Sequence, residues 1–574
     1  MEPGLKRIAL INLLLCCTLF CCALLISVSV VAQELPFSDH EKQIKQGNDR
    51  IVNENRPLLQ RQDIFLQDLF SSDDPSGVDA DSDVCVQVNT VKVTGVTKFS
   101  TKTIENLTQP YHQRCINLNH VNQLVTDLSN LYLNAGFVTS RAYINPQHLS
   151  TGVLEIVVLE GFIEAIESVH ETLSETQLSL AFPTTKQKLL NLRDLEQGLE
   201  NLNRLGKNQA TMSLVPGNTQ GGTVVSVQNR LGDGWRGSIG LNNTGVEDTG
   251  ELQLDANLSL DNVLGINDNF VASLSSNVGE HDLPVAESRS VSLVGSLPYH
   301  YWFFRLSNSY FEYEQSVLGN NVDFTTRGSS FNSSFEADVT VYRGQSQKLN
   351  VKTSLSRKES KNYIEDIFLE TSSRTLYLWD LSASYLKHLR KGTLTADFTV
   401  SKSVPWFGAT EQLVSAEVDY QFTKYTLDAG ISRHMKWGEQ SVNLSSQMHL
   451  LYSPEVILAS EGLTVGGRYS VRGLSQRALF GYRGGYLRND FLFPVSTPWD
   501  QFGQTQLMLG VDVGASNLPE FPDENSDWVA GSALGFTFLH RDLSVSFTYA
   551  KALRTPDFID DSQEELDVFV RMNF

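Results

Sequence analysis

Beyond its first 32 residues the chain lacks any apolar run approaching the ~18–20 residues that carry a helix across a bilayer, which excludes a polytopic helical membrane protein. An excess of positive charge is missing too. The 45 Lys and Arg stand against 66 Asp and Glu, a net charge of −21, so nucleic acid is not an expected partner. No HxxH, HExxH or CxxC spacing occurs, and there is neither a nucleophile elbow nor a P-loop. Gly232-Asp-Gly234-Trp-Arg-Gly237 matches the GxGxxG string, but an alternating strand follows where a helix should open, so it reads as a turn. Asp79, Asp81 and Asp83 resemble the start of a calcium loop, yet Val84 and Thr90 stand where Gly and Glu are needed. The expectation is a protein that is not an enzyme, with no catalytic residues, no cofactor and no metal.

Cysteine is scarce. Four of the six, Cys16, Cys17, Cys21 and Cys22, fall inside an apolar run from Ile8 to Val31 that follows Lys6 and Arg7 and ends at Ala32. That pattern reads as a secretory signal peptide over residues 1–32. Cys85 and Cys115 remain, an even count in an oxidising compartment, and are expected to form a disulfide. The closed loop is worth ~3–4 kcal/mol on the chain-entropy model. Apolar and aromatic residues, by contrast, are plentiful at 41 % and 10 %, which excludes a disordered chain. Mean hydropathy of −0.18 looks soluble, but a membrane β-barrel alternates its faces and also averages near zero.

Three textures follow one another along the chain. Residues 39–56 are charged and amide-rich with few apolar anchors, which predicts a helix too polar to dock on an apolar core. From Val84 to about Asn229 a pattern repeats. Leu118, Val121, Val125, Leu128 and Leu131 are matched 74 residues later by Leu192, Leu195, Leu199, Leu202 and Leu205. Each series follows a β-like run and a first helical segment and precedes two strands, giving a β-α-α-β-β unit twice. From Arg230 onward the period becomes two, as in Leu252, Leu254, Ala256, Leu258 and Leu260, or Leu566, Val568, Val570, Met572 and Phe574. Some 345 residues of such segments, each about ten long, predict a membrane β-barrel, the one β arrangement with no open edge in lipid. Seventeen segments can be counted, and single-chain bacterial barrels close on even numbers. Leu413–Gln421 runs into Phe422–Ile431 without a turn signal and is assigned to a loop, leaving 16 antiparallel strands around a wide, wet lumen.

One glycine-dense stretch breaks the alternation: Gly466-Gly467-Arg468-Tyr469-Ser470-Val471-Arg472-Gly473, continuing through Gly484-Gly485 to Arg488-Asn489-Asp490. It resembles the signature loop of two-partner secretion transporters of the haemolysin secretion/activation type. In that family POTRA domains are joined to a sixteen-stranded outer-membrane barrel. The resemblance extends over nearly the whole mature chain. Cys85, Cys115, Gly136-Phe137 and Leu159-Glu160-Gly161 are similar to the family's first POTRA. Asn191 to Gln197, Asn203-Arg204-Leu205 and Pro216-Gly217 are similar to its second. Asn242-Asn243-Thr244-Gly245 and Asp261-Asn262 are similar to the opening barrel hairpin.

The resemblance implies a domain plan of signal peptide 1–32, plug helix and linker 33–82, POTRA 83–163, POTRA 164–229 and barrel 230–574, with an inward-folded loop at 453–485. It implies that the loop latches through Val471, Arg472 and Gly473, Arg472 meeting Asp512 on the inner wall. A confined guanidinium needs a carboxylate, and a bidentate pair fixes its geometry. Leu474 stands where the family often has an aromatic. The terminal Phe574 resembles the signal read by the barrel-assembly machinery. The implied function is export of a large partner exoprotein, of haemolysin or adhesin type, from periplasm to the surface of a Gram-negative bacterium. The implied partners are that unfolded client, outer-membrane lipid and the barrel-assembly machinery. The alternative is an outer-membrane protein assembly or insertion factor of the same superfamily, which two POTRA units and a polar helix disfavour.

Overall fold

Alternation along the second half of the chain becomes a wall. In the computed structural model, which describes residues 39–59, 85–279, 285–317, 323–411, 418–474, 478–497, 503–517, 526–557, 559 and 564–574, sixteen antiparallel strands close into a barrel. The first wall strand is Trp235–Asn242 and the last Glu564–Asn573, and they meet with Phe569 opposite Asn242 and Asn573 opposite Ser238. A two-residue ladder, Ile367–Phe368, extends one hairpin without adding to the wall. Within Leu413–Gln421 the described residues 418–421 carry no strand, and the wall resumes at Thr423–Trp437. The expected signal peptide 1–32, the expected linker beyond Leu59 and the acidic run Asp79–Asp83 lie outside the described residues.

Strand period sets the two faces. On Gln253–Asp261 the polar Gln253, Asp255, Ser259 and Asp261 are buried toward the lumen, while Leu254 and Leu258 are exposed outward. Apolar side chains thus form the outer belt and amides, hydroxyls and charges form the inner wall, the inverse of a soluble core.

Two β-α-α-β-β units precede the barrel. In the first, Thr90–Thr94 lies parallel to Val153–Leu159, with Arg141–Tyr143 antiparallel on its other side. The helix Leu118–Asn134 starts where Asn117 accepts from the His120 N–H and the His120 ring accepts in return. Its Leu124, Leu128 and Tyr132 are fully buried on the sheet. The β-like run that precedes the first helical segment is broken at Asn89. Its first part, Val86–Val88, pairs instead with Arg114–Ile116, and a Cys85–Cys115 disulfide (Cα–Cα 5.5 Å) ties this ladder together. In the second unit Phe162–Ser168 lies parallel to Gly222–Leu231, with Asn208–Pro216 antiparallel. Ser174 caps Glu175–Ala181 and Asn191 caps Leu192–Asn203. Because Phe162 already belongs to the second sheet, the change of unit falls at Gly161, two residues before the expected boundary.

The units are fused. Val138 of the first lies in the core of the second with Ile163, Leu178 and Leu195, while Leu189 of the second packs against the core of the first. Glu160 locks the junction, accepting from the Thr97 N–H at 2.8 Å, the Lys98 N–H at 3.0 Å and the Tyr132 hydroxyl at 2.6 Å. Burial pushes its carboxyl up, but these bonds and one from the Thr97 hydroxyl outweigh burial and hold it below the usual range.

The second unit is also bolted to the barrel. Glu196, Gln197, Glu200 and Asn201 form the polar face of helix Leu192–Asn203, yet all four are buried. Arg343 reaches Glu200 at 2.7 Å and Gln197 at 2.9 Å, and Lys348 reaches Glu200 at 2.8 Å. Asn201 donates to the His300 carbonyl and Arg204 to Ser296, both at 2.8 Å. These partners sit on the turns and strand ends of the barrel's near rim. A helix face that reads as solvated in isolation is therefore an interface.

Candidate functional site: the barrel lumen

Two elements fill the lumen. The first is the helix Asp39–Leu59, about 30 Å long at 1.5 Å per residue, close to the thickness of a bilayer core. Its expected polarity is only part of the story. Ile44 and Ile51, two helical turns apart, are buried against Phe311 and Tyr313 of strand Trp302–Val317. Gly47 lies between them, so close to the wall that a Cβ there would fall 2.5 Å from the Phe311 ring. The remaining contacts are polar: Arg50 donates to Ser275 at 3.1 Å, and Asn48 accepts from Ser330 at 3.1 Å and Asn332 at 3.0 Å.

The second element is the loop between strands Gln440–Tyr452 and Arg483–Val495. Those strands pair directly, Tyr452 opposite Arg483, so the loop is an excursion that folds back inside. It ends at Tyr482, before Gly484-Gly485, which belong to the wall. Nor is it structureless: Leu463–Val465 pairs with Leu479–Gly481. Val465, Val471, Leu474 and Leu479 pack against the wall residues Leu378, Phe422, Leu451, Val529 and Ala552 in a small apolar core. Leu474, in place of an aromatic, is fully buried there.

Arg472 is 1 % exposed. Its Nε donates to Asp512 Oδ2 at 2.7 Å and its Nη2 to Asp512 Oδ1 at 2.8 Å, while its backbone N–H donates to Oδ2 at 3.2 Å. Nη2 also lies 2.7 Å from Asp490. The space is made by glycines. A Cβ at Gly510 would fall 2.3 Å from Arg472 Nη2, and one at Gly531 would fall 1.9 Å from its carbonyl oxygen. Gly473, at φ +87°, turns the chain so that its N–H donates to Glu565 at 3.3 Å. Arg468, nearby, lies 3.5 Å from Asp567. The loop tip thus grips the wall at Asp490, Asp512 and the last strand.

Asp490 was legible as part of a motif but not as a partner of Arg472. The signal was available, because Asp490 sits opposite Gly510 across the ladder, two residues from Asp512 on the same lumenal face. The other singled-out residues lie elsewhere. Cys85 and Cys115 are in the first α/β unit. Phe574 sits at the outer seam, its N–H donating to the Gly237 carbonyl at 2.9 Å and its carbonyl accepting from the Gly237 N–H at 2.8 Å. Its ring points outward, 6.0 Å from that of Trp235. Alongside, the Asn243 side-chain amide bonds both the Leu566 carbonyl and the Val568 N–H, extending the seam beyond the paired backbone. A cavity of about 1730 Å³ remains around helix and loop, lined by both and by Lys358, Lys424, Asp428 and Glu565.

Comparison with known proteins is consistent across three levels. Residues 221–538 match the family of haemolysin secretion/activation proteins of the ShlB/FhaC/HecB type. Residues 86–161 match a ShlB-type POTRA domain and 162–216 a POTRA domain. The chain is 32 % identical over 539 residues to the hemolysin transporter protein ShlB of Serratia marcescens, covering 91 % of this chain and 94 % of that one. It is 31 % identical over 475 residues to the outer membrane transporter CdiB of Dickeya dadantii, covering 82 % and 83 %. The solved structure of CdiB from Escherichia coli superposes with a TM-score of 0.84 at 26 % identity, covering 94 % of this chain and all of that one.

Proposed function

The chain belongs to the haemolysin secretion/activation family of outer-membrane transporters, and from that premise we propose that it carries one large partner exoprotein from the periplasm to the cell surface through its own barrel. The observation that carries this reading is a wide polar lumen filled by two elements, both held mainly through side-chain contacts that can break without unfolding the wall. The α/β units are POTRA domains on the periplasmic side. Their edge strands, Thr90–Thr94 and Arg141–Tyr143 in the first and Phe162–Ser168 and Asn208–Pro216 in the second, offer backbone groups to which an unfolded client adds a strand. The helix Asp39–Leu59 serves as the plug and leaves as the client enters. Arg472, Val471, Gly473 and Asp512 form the latch of the inward loop, with Asp490 as its second carboxylate.

No catalytic step is assigned to the chain, and no nucleotide-binding motif drives transport, so net movement comes from folding of the client outside the cell. The outward leucines and aromatics contact outer-membrane lipid, and Phe574 with Trp235 at the seam is what the barrel-assembly machinery reads. The test compares the proteins in the medium of cells with and without this chain. One large protein is expected to vanish on deletion and return on complementation. An unchanged secreted set with an assembled barrel would overturn the reading.

A further inference from the structure

The inward loop has a second ionic attachment, far from Arg472. On its descending limb the short turn Ala459–Glu461 presents Glu461, 3 % exposed. Glu461 Oε1 accepts from Lys358 Nζ at 2.6 Å, and Oε2 accepts from Lys424 Nζ at 2.7 Å. The Glu461 carbonyl takes a further bond from Lys424 at 3.1 Å. The two lysines come from different wall strands, Gln347–Ile364 and Thr423–Trp437. The loop is therefore strung across the lumen, tied on one side through Glu461 and on the other through Arg472, Arg468 and Gly473.

Two ammonium groups against one carboxylate leave a positive excess. The helix brings a pair of opposite charges to this point, Lys45 and Asp49, 3.2 Å from each other: Asp49 lies within electrostatic range of Lys358, as does Asp380 of the wall, while Lys45 acts on Lys424 with the opposite sign. Helix Asp39–Leu59 also rests directly on the Ala459–Glu461 turn, and Lys42 lies over the Phe480 ring of the loop at 5.4 Å. Three separate elements thus meet at one point: wall, loop and helix.

We propose that Glu461, with Lys358 and Lys424, is the joint through which departure of the helix releases the loop, Glu461 being a positioning residue for channel opening distinct from the Arg472 latch. The physical reason is solvent. With the helix in place the Glu461 and Lys424 side chains are only 2 % and 15 % exposed, whereas Lys358 at 36 % already borders the remaining cavity. Once the helix goes, water reaches the Glu461–Lys424 bond and the same Coulomb attraction falls up to about fourfold as the effective dielectric constant rises from ~20 to ~80. Asp49 and Lys45 leave together as an ion pair, so it is the lost shielding and not a lost charge that weakens the joint. Opening is then ordered, with the helix first, the Glu461 joint second and the Arg472 tip last. Coupling of this kind is reciprocal, so weakening the joint also loosens the helix.

This inference rests on the pore and plug reading above, but its test needs no client. The full-length protein is reconstituted in planar bilayers in KCl, and a cysteine at Asn53→Cys reports helix exposure through maleimide labelling. Glu461→Gln is expected to raise open-channel frequency and Asn53→Cys labelling about tenfold, the scale of one lost charge-assisted bond. Glu461→Asp keeps the carboxylate between the two lysines and is expected to shift both readings less than Glu461→Gln. Lys358→Gln, which leaves the Glu461–Lys424 bond, should give a smaller change of the same sign. Heat-modifiable gel mobility reports barrel assembly, and if Glu461→Gln fails to assemble, Lys358→Gln and Glu461→Asp decide. Assembled variants with wild-type opening and labelling, or a Glu461→Asp shift as large as that of Glu461→Gln, would overturn the joint. Loss of the export reading would show instead as an unchanged secreted set, with the conductance effects intact.

Discussion

Arg472 and Asp512 meet side-on, two guanidinium nitrogens on two carboxylate oxygens at 2.7 and 2.8 Å, with the Arg472 backbone N–H closing on the same carboxylate. Neither is accessible to bulk solvent, and Asp490 shares the charge. Replacing Arg472 by Ala leaves Asp512 without its cation, while Asp490 keeps Arg488 at 3.3 Å, a loss of about 3–5 kcal/mol for a broken buried pair. Arg472→Lys keeps the charge but not the fork and should fall between wild type and Ala. Protease cleavage within the inward loop checks this, with Arg472→Ala cut fastest. Arg472→Ala combined with Asp512→Asn should recover part of the protection, since one orphaned charge is gone.

Among the described side chains of helix Asp39–Leu59, Ile44 and Ile51 make its apolar seat on the wall. Ile44→Ala with Ile51→Ala removes the contacts with Phe311 and Tyr313 at roughly 2–4 kcal/mol per fully buried site, less in a wet lumen. Open-channel frequency in bilayers should rise, while the barrel's heat-modifiability stays unchanged. Gly47→Val is expected to act in the same direction by wedging the helix off Phe311.

Acid should loosen the periplasmic arm before the barrel. Burial raises the Glu200 carboxyl, but Lys348 and Arg343 outweigh burial and bring it below its ordinary value. Glu160 is also depressed, and Glu164 is held down to about 2, first by the Thr219 hydroxyl and then by the Thr219 and Asn218 N–H groups. A depressed folded-state value means that stabilisation is complete above the unfolded carboxylate range near ~4.3 and is lost as pH falls through the folded values. Limited proteolysis of the reconstituted protein should show the α/β arm unchanged from pH 7 to about 5 and progressively cut below about 4, with Glu200→Gln already sensitive at neutral pH.

The disulfide should be worth most to the entry of the first POTRA. Cys85 and Cys115 close a loop of 30 residues, ~3–4 kcal/mol on the chain-entropy model. Cys85→Ser with Cys115→Ser, or reduction by dithiothreitol, should free the Val86–Val88 ladder. Hydrogen exchange is expected to rise there while the Leu124, Leu128 and Tyr132 core stays protected.

Phe574 contributes two backbone bonds to Gly237 and an outward ring beside Trp235. Deleting it should lower the fraction of folded barrel in cells several-fold, as read by heat-modifiable mobility, whereas Phe574→Tyr should not.

Period told most of the fold. A repeat of two distinguishes Gln253–Asp261 from the helix Leu118–Asn134 because a strand puts alternate side chains on opposite faces and a helix does not. The capping asparagines Asn117 and Asn191 mark where helices begin for the same local reason. What period cannot tell is which distant surface meets which. Glu196 and Glu200 read as a solvated face because Arg343 and Lys348, some 145 residues on, complete them only after the barrel has closed. Ile44 and Ile51 read as two strays in a polar stretch because the ring they seat on, Phe311, is itself on a lumenal face expected to be polar. Within the site, Arg472 and Asp512 came from resemblance of motifs, while Glu461 carries no motif and is found only through its lysines.

The core shared across Gly161 has a mechanical consequence. With Val138 set in one unit, Leu189 against the other and Glu160 clamping the turn, the periplasmic arm behaves as a crank with no elbow. A pull on the edge of the first sheet is not absorbed between the units. It arrives as torque on the Glu200–Arg343–Lys348 bolt, at the rim of the same wall that holds helix Asp39–Leu59.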